Sequence, residues 1–249
     1  ISDIQNYYNQ LEENEMTKKK KIIIGALILL LCIAAGGFLY YKMAAPPGEE
    51  WLAYHNEELI SNIDSQLSGL DIESIVQKKE KLVIEKEIAD IQNAIKNGSL
   101  TYEELTAICL YRIKTLDQNE HGLNSVLTIN PNAMEEARQK DAERKSRTEN
   151  PSDIFGIPVL LKDNINTAGI PTSAGAAALA DFIPAKDADL AANLKNRGAI
   201  ILGKNNLSEL AGYMSSIAPA GYSNVKGQTI SPFGPLKISA SGSSSGSAV

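Results

Sequence analysis

Residues 156–164 read G-I-P-V-L-L-K-D-N, and Ile157 to Leu161 is an uncharged apolar run of strand length between Gly156 and the polar set Lys162, Asp163 and Asn164. Such a run reads as a buried strand that carries Lys162 to its C-terminal end. Ligand sites of α/β sheets gather at that end of the strands. A lysine held in a dry site has its charged form disfavoured and its pKa lowered, so it can act as a base near neutral pH. Taken alone, a lysine here is more often a surface residue with a packed stem.

A second apolar run, Ala199 to Leu202, follows, and Ala-rich stretches around 174–180 and 187–196 read as helices between the two. Strands alternating with helices argue for the α/β class, here a mixed β-sheet covered by helices. Upstream, Ile88, Ile91 and Ile95 form a helical stripe that stops at Asn97 and Gly98. Thr101 followed by Glu104 makes a capping box, and Leu105, Ile108, Cys109, Ile113 and Leu116 continue the next helix. That stripe places Cys109 in a core, so it is not read as a nucleophile. After the break at Asn130 and Pro131, residues 133–147 read as a charged helix and 145–153 as a polar loop.

The N-terminal part has a different texture. Ile22 to Tyr41 is a stretch of 20 residues without charge, which as a helix spans about 30 Å, the thickness of a bilayer's hydrocarbon core. Lys18 to Lys21 precede it, and Glu49 and Glu50 follow on the far side, so the positive-inside rule leaves the N-terminus in the cytoplasm and exports the rest. The expectation is a single-pass cell-membrane protein with an extracytoplasmic domain. A cleavable signal peptide, giving a secreted protein, remains open because Ala34, Ala35, Gly36 and Gly37 end the run. The resulting division is 1–21 as a cytoplasmic tail, 22–41 as the transmembrane anchor or signal segment, 42–86 as a linker broken by Pro46 and Pro47 and followed by a stalk or docking helix, and 87–249 as the α/β domain. Residues 1–15, before Met16, are read either as upstream read-through or as a true tail, and both chain ends read as artificial boundaries.

Composition narrows the functional classes. A formal charge of -6 argues against a nucleic-acid partner, which calls for a basic face. Two cysteines exclude a disulfide framework, and His55 and His121 lack metal-ligand spacing, so both read as surface residues with no metal or cofactor expected. Gly198 to Lys204 matches G-x-x-x-x-G-K, but its intervening residues form an apolar strand and Asn205 stands where a phosphate-binding loop needs Ser or Thr.

The last informative stretch is Ser239 to Val249, S-A-S-G-S-S-S-G-S-A-V, which reads either as a flexible linker or as a tight loop leading into a helix. Four segments in order, G-I-P-V-L-L-K-D-N, P-T-S-A-G at 171–175, I-L-G-K-N-N-L-S-E at 201–209 and this loop, resemble the amidase signature family from about Glu87 to Val249. The resemblance implies hydrolysis of a carboxylic amide, small-molecule or peptide, through an acyl-serine. It assigns Lys162 as the base and Ser243 as the bridging serine, after a cis peptide at Gly242-Ser243. Ser241 and Ser245 stand where the family more commonly has glycine. The family's nucleophile lies about two dozen residues past the bridging serine and so outside these 249 residues, which implies that this chain by itself is inactive. Two alternatives stay open: a non-catalytic surface-anchored binding protein on the same fold, and an amidotransferase subunit serving glutaminyl-tRNA.

Overall fold

A computed structural model of the chain describes residues 2–44, 48–146, 153–215 and 217–249. The proline break at 46–47 and most of the polar loop at 145–153 fall outside those residues.

The chain divides into two units, 1–46 and 47–249. The first is one continuous helix, α1 (Ser2–Ala44), whose apolar side chains from Tyr7 to Met43 are exposed, Ile22 by 69% and Leu31 by 69%. By length and composition it can cross a membrane.

The second unit begins with α2 (Asn56–Leu67), α3 (Ile72–Lys79), α4 (Ile88–Lys96) and α5 (Tyr102–Arg112). Thr101 caps α5 by accepting from Glu104 N, and Glu104 returns the bond to Thr101 N, so two orphan amides are satisfied. After α5 come β1 (Val126–Ile129), α6 (Ala133–Ser146), β2 (Pro158–Lys162), α7 (Asp189–Asn196) and β3 (Ile200–Asn205). Two short strands, β4 (Tyr222–Ser223) and β5 (Gly227–Gln228), and a last turn of helix, α8 (Ser245–Ala248), complete the unit.

The main sheet has the order β1-β3-β2, with β1 antiparallel and β2 parallel to β3, a mixed sheet as expected. The side chains of β3 alternate: Ile200 and Leu202 join the large core with Leu59, Ile63, Ile108 and Met134, whereas Ile201 joins Leu161, Ile170 and Ala191 under α7. Both faces of the strand are therefore dry, which is why its sequence reads as a continuous apolar run. Gly203 is required in β3, because a Cβ there would lie 2.2 Å from the Thr128 carbonyl oxygen of β1.

Two expectations change. The segment at 42–86 is no stalk from residue 56 onward: Leu59, Ile63, Leu67 and Ile72 are buried in the large core, so α2 and α3 belong to the same unit as the strands. The Ala-rich stretch at 174–180 is not a helix but a single 3-10 turn, Ala177–Leu179. Its first residues are bound elsewhere, with Ala174 N donating to Asp163 O and Gly175 N to Asp163 Oδ2, and both residues have positive φ. Side-chain-to-backbone bonds of this kind outcompete a helix whose alanines offer nothing beyond propensity.

Candidate active site

Lys162 is the last residue of β2, and its Nζ lies 2.7 Å from Ser243 Oγ, a hydrogen bond across 81 positions of sequence. Burial lowers the Lys162 pKa from its ordinary value, and among the described residues no carboxylate pairs with it to restore the charge. An amine in that setting is biased toward its neutral form, and its one side-chain partner is a hydroxyl.

Ser243 is held from the loop side. The Ser/Gly segment is not a free linker: it runs into α8, with Ser241 at positive φ and a cis peptide between Gly242 and Ser243. Ser208 N donates to Ser243 O at 3.0 Å, and Ser208 Oγ accepts from Gly221 N at 2.9 Å. Ser245 is fully buried and its hydroxyl donates to Ser241 O, closing the loop on itself. Gly246 N donates to Asn206 O at 3.0 Å, and a Cβ at Gly246 would lie 2.2 Å from Ser125 O, so the glycine lets the loop seat directly on neighbouring backbone.

Gly242 and Ser243 border a cavity of about 500 Å³ whose other walls include Ser208, Glu209, Met214 and Tyr222. Glu209 is committed to structure, since its Oε2 accepts from Asn224 N and Nδ2. The cavity offers a mixed polar and apolar surface next to a hydroxyl that touches an amine whose pKa burial lowers. Among the described residues no group of three or more His, Cys, Asp or Glu converges to hold a metal.

Other residues take simpler places. His55 and His121 are exposed, the latter edge-on to Trp51. Cys109 packs against the large core, and burial pushes its thiol up to about 11, far from the range of a reactive thiolate. In the G-x-x-x-x-G-K match, Gly198 packs on the Phe155 ring, the four intervening residues are buried, and Lys204 is enclosed, so no backbone amides are free for a phosphate.

Three residues at the site lie outside the Lys162–Ser243 pairing expected from sequence. Asn206 is a hub: its Nδ2 donates to Thr229 Oγ1 at 3.0 Å and Gly227 O at 3.2 Å, its Oδ1 accepts from Ser223 Oγ, and its backbone seats Gly246. Asp163 and Lys204 form a pair with no exposed side-chain surface, Lys204 Nζ standing 3.7 Å from Asp163 Oδ1. Burial drives both toward neutrality, raising the Asp163 pKa and lowering that of Lys204 to about 8. Nothing but their place inside the quoted segments could have flagged them.

The amidase family model matches residues 104–249. Among solved structures, an amidase family protein from Bacillus anthracis is 48% identical with a TM-score of 0.77, over 81% of this chain and 40% of its own. The peptide amidase of Stenotrophomonas maltophilia is 43% identical with a TM-score of 0.63, over 67% of this chain and 34% of its own. Among curated sequences, a glutamyl-tRNA(Gln) amidotransferase chain of Lawsonia intracellularis is 38% identical over 65% of this chain and 31% of its own. This chain thus spans between 31% and 40% of the length of these relatives, and over that span its strand ends, its Ser/Gly loop and its sequence agree that it belongs to the amidase family.

Proposed function

We propose that this amidase-family hydrolase cleaves a carboxylic amide C–N bond through an acyl-serine, with Lys162 as the base and Ser243 as the proton bridge. The observation that carries the reading is the 2.7 Å contact between Lys162 Nζ and Ser243 Oγ, made by an amine with lowered pKa and no carboxylate partner among the described residues. Neutral Lys162 takes the Ser243 hydroxyl proton as Ser243 takes the proton of the attacking serine, whose oxygen bonds to the amide carbonyl carbon. On collapse, the proton travels back along the same path to the leaving nitrogen, the C–N bond breaks, and water repeats the sequence on the acyl-serine. The relay uses side chains alone.

The resemblance puts the attacking serine outside residues 1–249, so these residues by themselves are expected to turn over nothing. The substrate class is a small-molecule or peptide amide. Supporting this is the 43% identity to a peptide amidase and the mixed polar and apolar cavity beside Ser243. The helix at 22–41 is proposed to anchor the protein in the cell membrane with the second unit outside, on the strength of its length, its exposed apolar surface and the lysines before it.

A second reading, an amidotransferase component, is favoured by the identity to the Lawsonia intracellularis chain. Assaying the full-length protein alone on an amidated dipeptide separates the two. Ammonia release that Lys162→Ala abolishes supports the amidase, whereas activity that needs partner proteins supports the amidotransferase. Absence of both supports a non-catalytic binding protein.

A further inference from the structure

Within the proposed relay, we infer that the buried Asp163–Lys204 pair is its positioning element, holding both the strand end that carries Lys162 and the segment that holds Ser243. The inference rests on that functional reading, and its geometry is independent of it.

Asp163 directly follows Lys162. Its N donates to Asn205 O at 3.1 Å, which locks the end of β2 to β3. Its Oδ2 accepts from Ser173 Oγ at 2.5 Å, Ser173 N at 2.9 Å and Gly175 N at 3.3 Å, and its carbonyl accepts from Ala174 N at 3.0 Å. One residue therefore gathers the turn at 173–175 against the strand end. Ala174 O then accepts from Leu210 N at 2.8 Å, and two residues before Leu210 is Ser208, whose N donates to Ser243 O. Backbone bonds thus run from the residue beside the base to the carbonyl of the bridging serine.

Lys204 closes the other side. Its Nζ donates to Ile165 O at 2.6 Å and Thr172 Oγ1 at 2.8 Å, so one ammonium pins both ends of the intervening loop. Asp163 is the only carboxylate within ion-pair distance of it among the described residues, and Asp163 Oδ1 has no hydrogen-bond donor besides that charge. A core that needed only packing would do as well with apolar side chains, since replacing both members of a buried pair is often neutral for stability. What an apolar pair could not do is fix the strand end and the turn in one register. A shift of about 1 Å at a reacting group can lower turnover about 100-fold.

The test is the double variant Lys204→Met with Asp163→Asn in the full-length protein, assayed on an amidated dipeptide beside Lys162→Ala. The double variant leaves no uncompensated buried charge. It is expected to keep its melting temperature within a few degrees, hold KM within about threefold and lose about 100-fold in kcat. The rising limb of its pH profile should also move to higher pH, because a displaced Lys162 regains water and with it a higher pKa. A folded double variant with unchanged kcat and an unmoved limb would overturn the inference. If the double variant does not fold, Thr172→Val decides: it removes one acceptor of Lys204 and leaves both charges, so a smaller loss of kcat with the limb moving the same way is expected, and no change overturns. Turnover surviving in Lys162→Ala refutes the relay itself, whereas loss there with an unaffected double variant refutes only the positioning role.

Discussion

Lys162 and Lys204 leave neighbouring strands nearly side by side, for Leu161 pairs with Lys204 and Lys162 with Asn205, yet the two lysines meet opposite surroundings. Both lose part of their basicity to burial. Lys204 is enclosed on every side, donates to a carbonyl and a hydroxyl, and faces a carboxylate at ion-pair distance within the floor of the fold. Lys162 is only half-buried, pairs with no carboxylate among the described residues, and reaches a serine on the wall of an open cavity. Desolvation alone does not mark a base, then. What separates the two is whether the partner is a proton carrier facing a space where a substrate can sit.

The sharpest way to break this contrast is to remove each partner of the proton pathway. Lys162→Ala in the full-length protein should lower turnover of an amide by a factor of about 10² to 10⁴ or more while the protein stays folded, and steady-state kinetics with circular dichroism would show both. Unchanged turnover would mean a different base. Ser243→Ala should fall in the same range, somewhat less severely, since water can bridge a missing hydroxyl; kcat would drop with KM little changed.

A third buried lysine sharpens the comparison. Lys226 is 1% exposed, donates to Asn56 Oδ1 at 3.0 Å, and is lowered by burial to about 8, yet it does not touch Ser243. Lys226→Met should therefore leave turnover unchanged. Its stability effect has a defined sign. Between about pH 8 and 10.5 the unfolded chain holds a proton that folded Lys226 has given up, so the wild type gains stability as pH rises through that window and the variant does not. Denaturant unfolding at pH 7 and above pH 10 should show the wild type gaining about 3 kcal/mol relative to the variant. The smallest effect expected is at Gly246→Ala, where the added methyl meets Ser125 O and the Asn206 backbone: about 1–3 kcal/mol of destabilisation, read as a lower melting temperature.

The apolar strands β2 and β3, the capping box at Thr101 and the helix stop at Asn97 and Gly98 were legible because each follows from a local rule that tertiary structure did not override, although only β3 is buried throughout and in β2 only Leu161 is fully buried. The sheet's third strand, at 126–129, was not, since its four residues carry too little pattern to stand out. The 174–180 stretch misled because an alanine count is blind to a distant acceptor such as Asp163. The segment at 42–86 left stalk and docking helix both open for a related reason: its apolar spacing is loosely helical, and a loose stripe tells nothing of which core will take it. At the candidate site, Lys162 and Ser243 were singled out through resemblance, while Asp163, Lys204 and Asn206 are visible only when the folded chain brings their partners together.

The most direct measurement is the titration of the Lys162 side chain, followed by nuclear magnetic resonance of its ε-carbon in the folded chain and assigned by its loss in Lys162→Ala. The expected midpoint lies below 10.5, the ordinary value for lysine, and Ser243→Ala should perturb that resonance. A midpoint at or above 10.5 with no response to Ser243→Ala would contradict a neutral amine bonded to that hydroxyl.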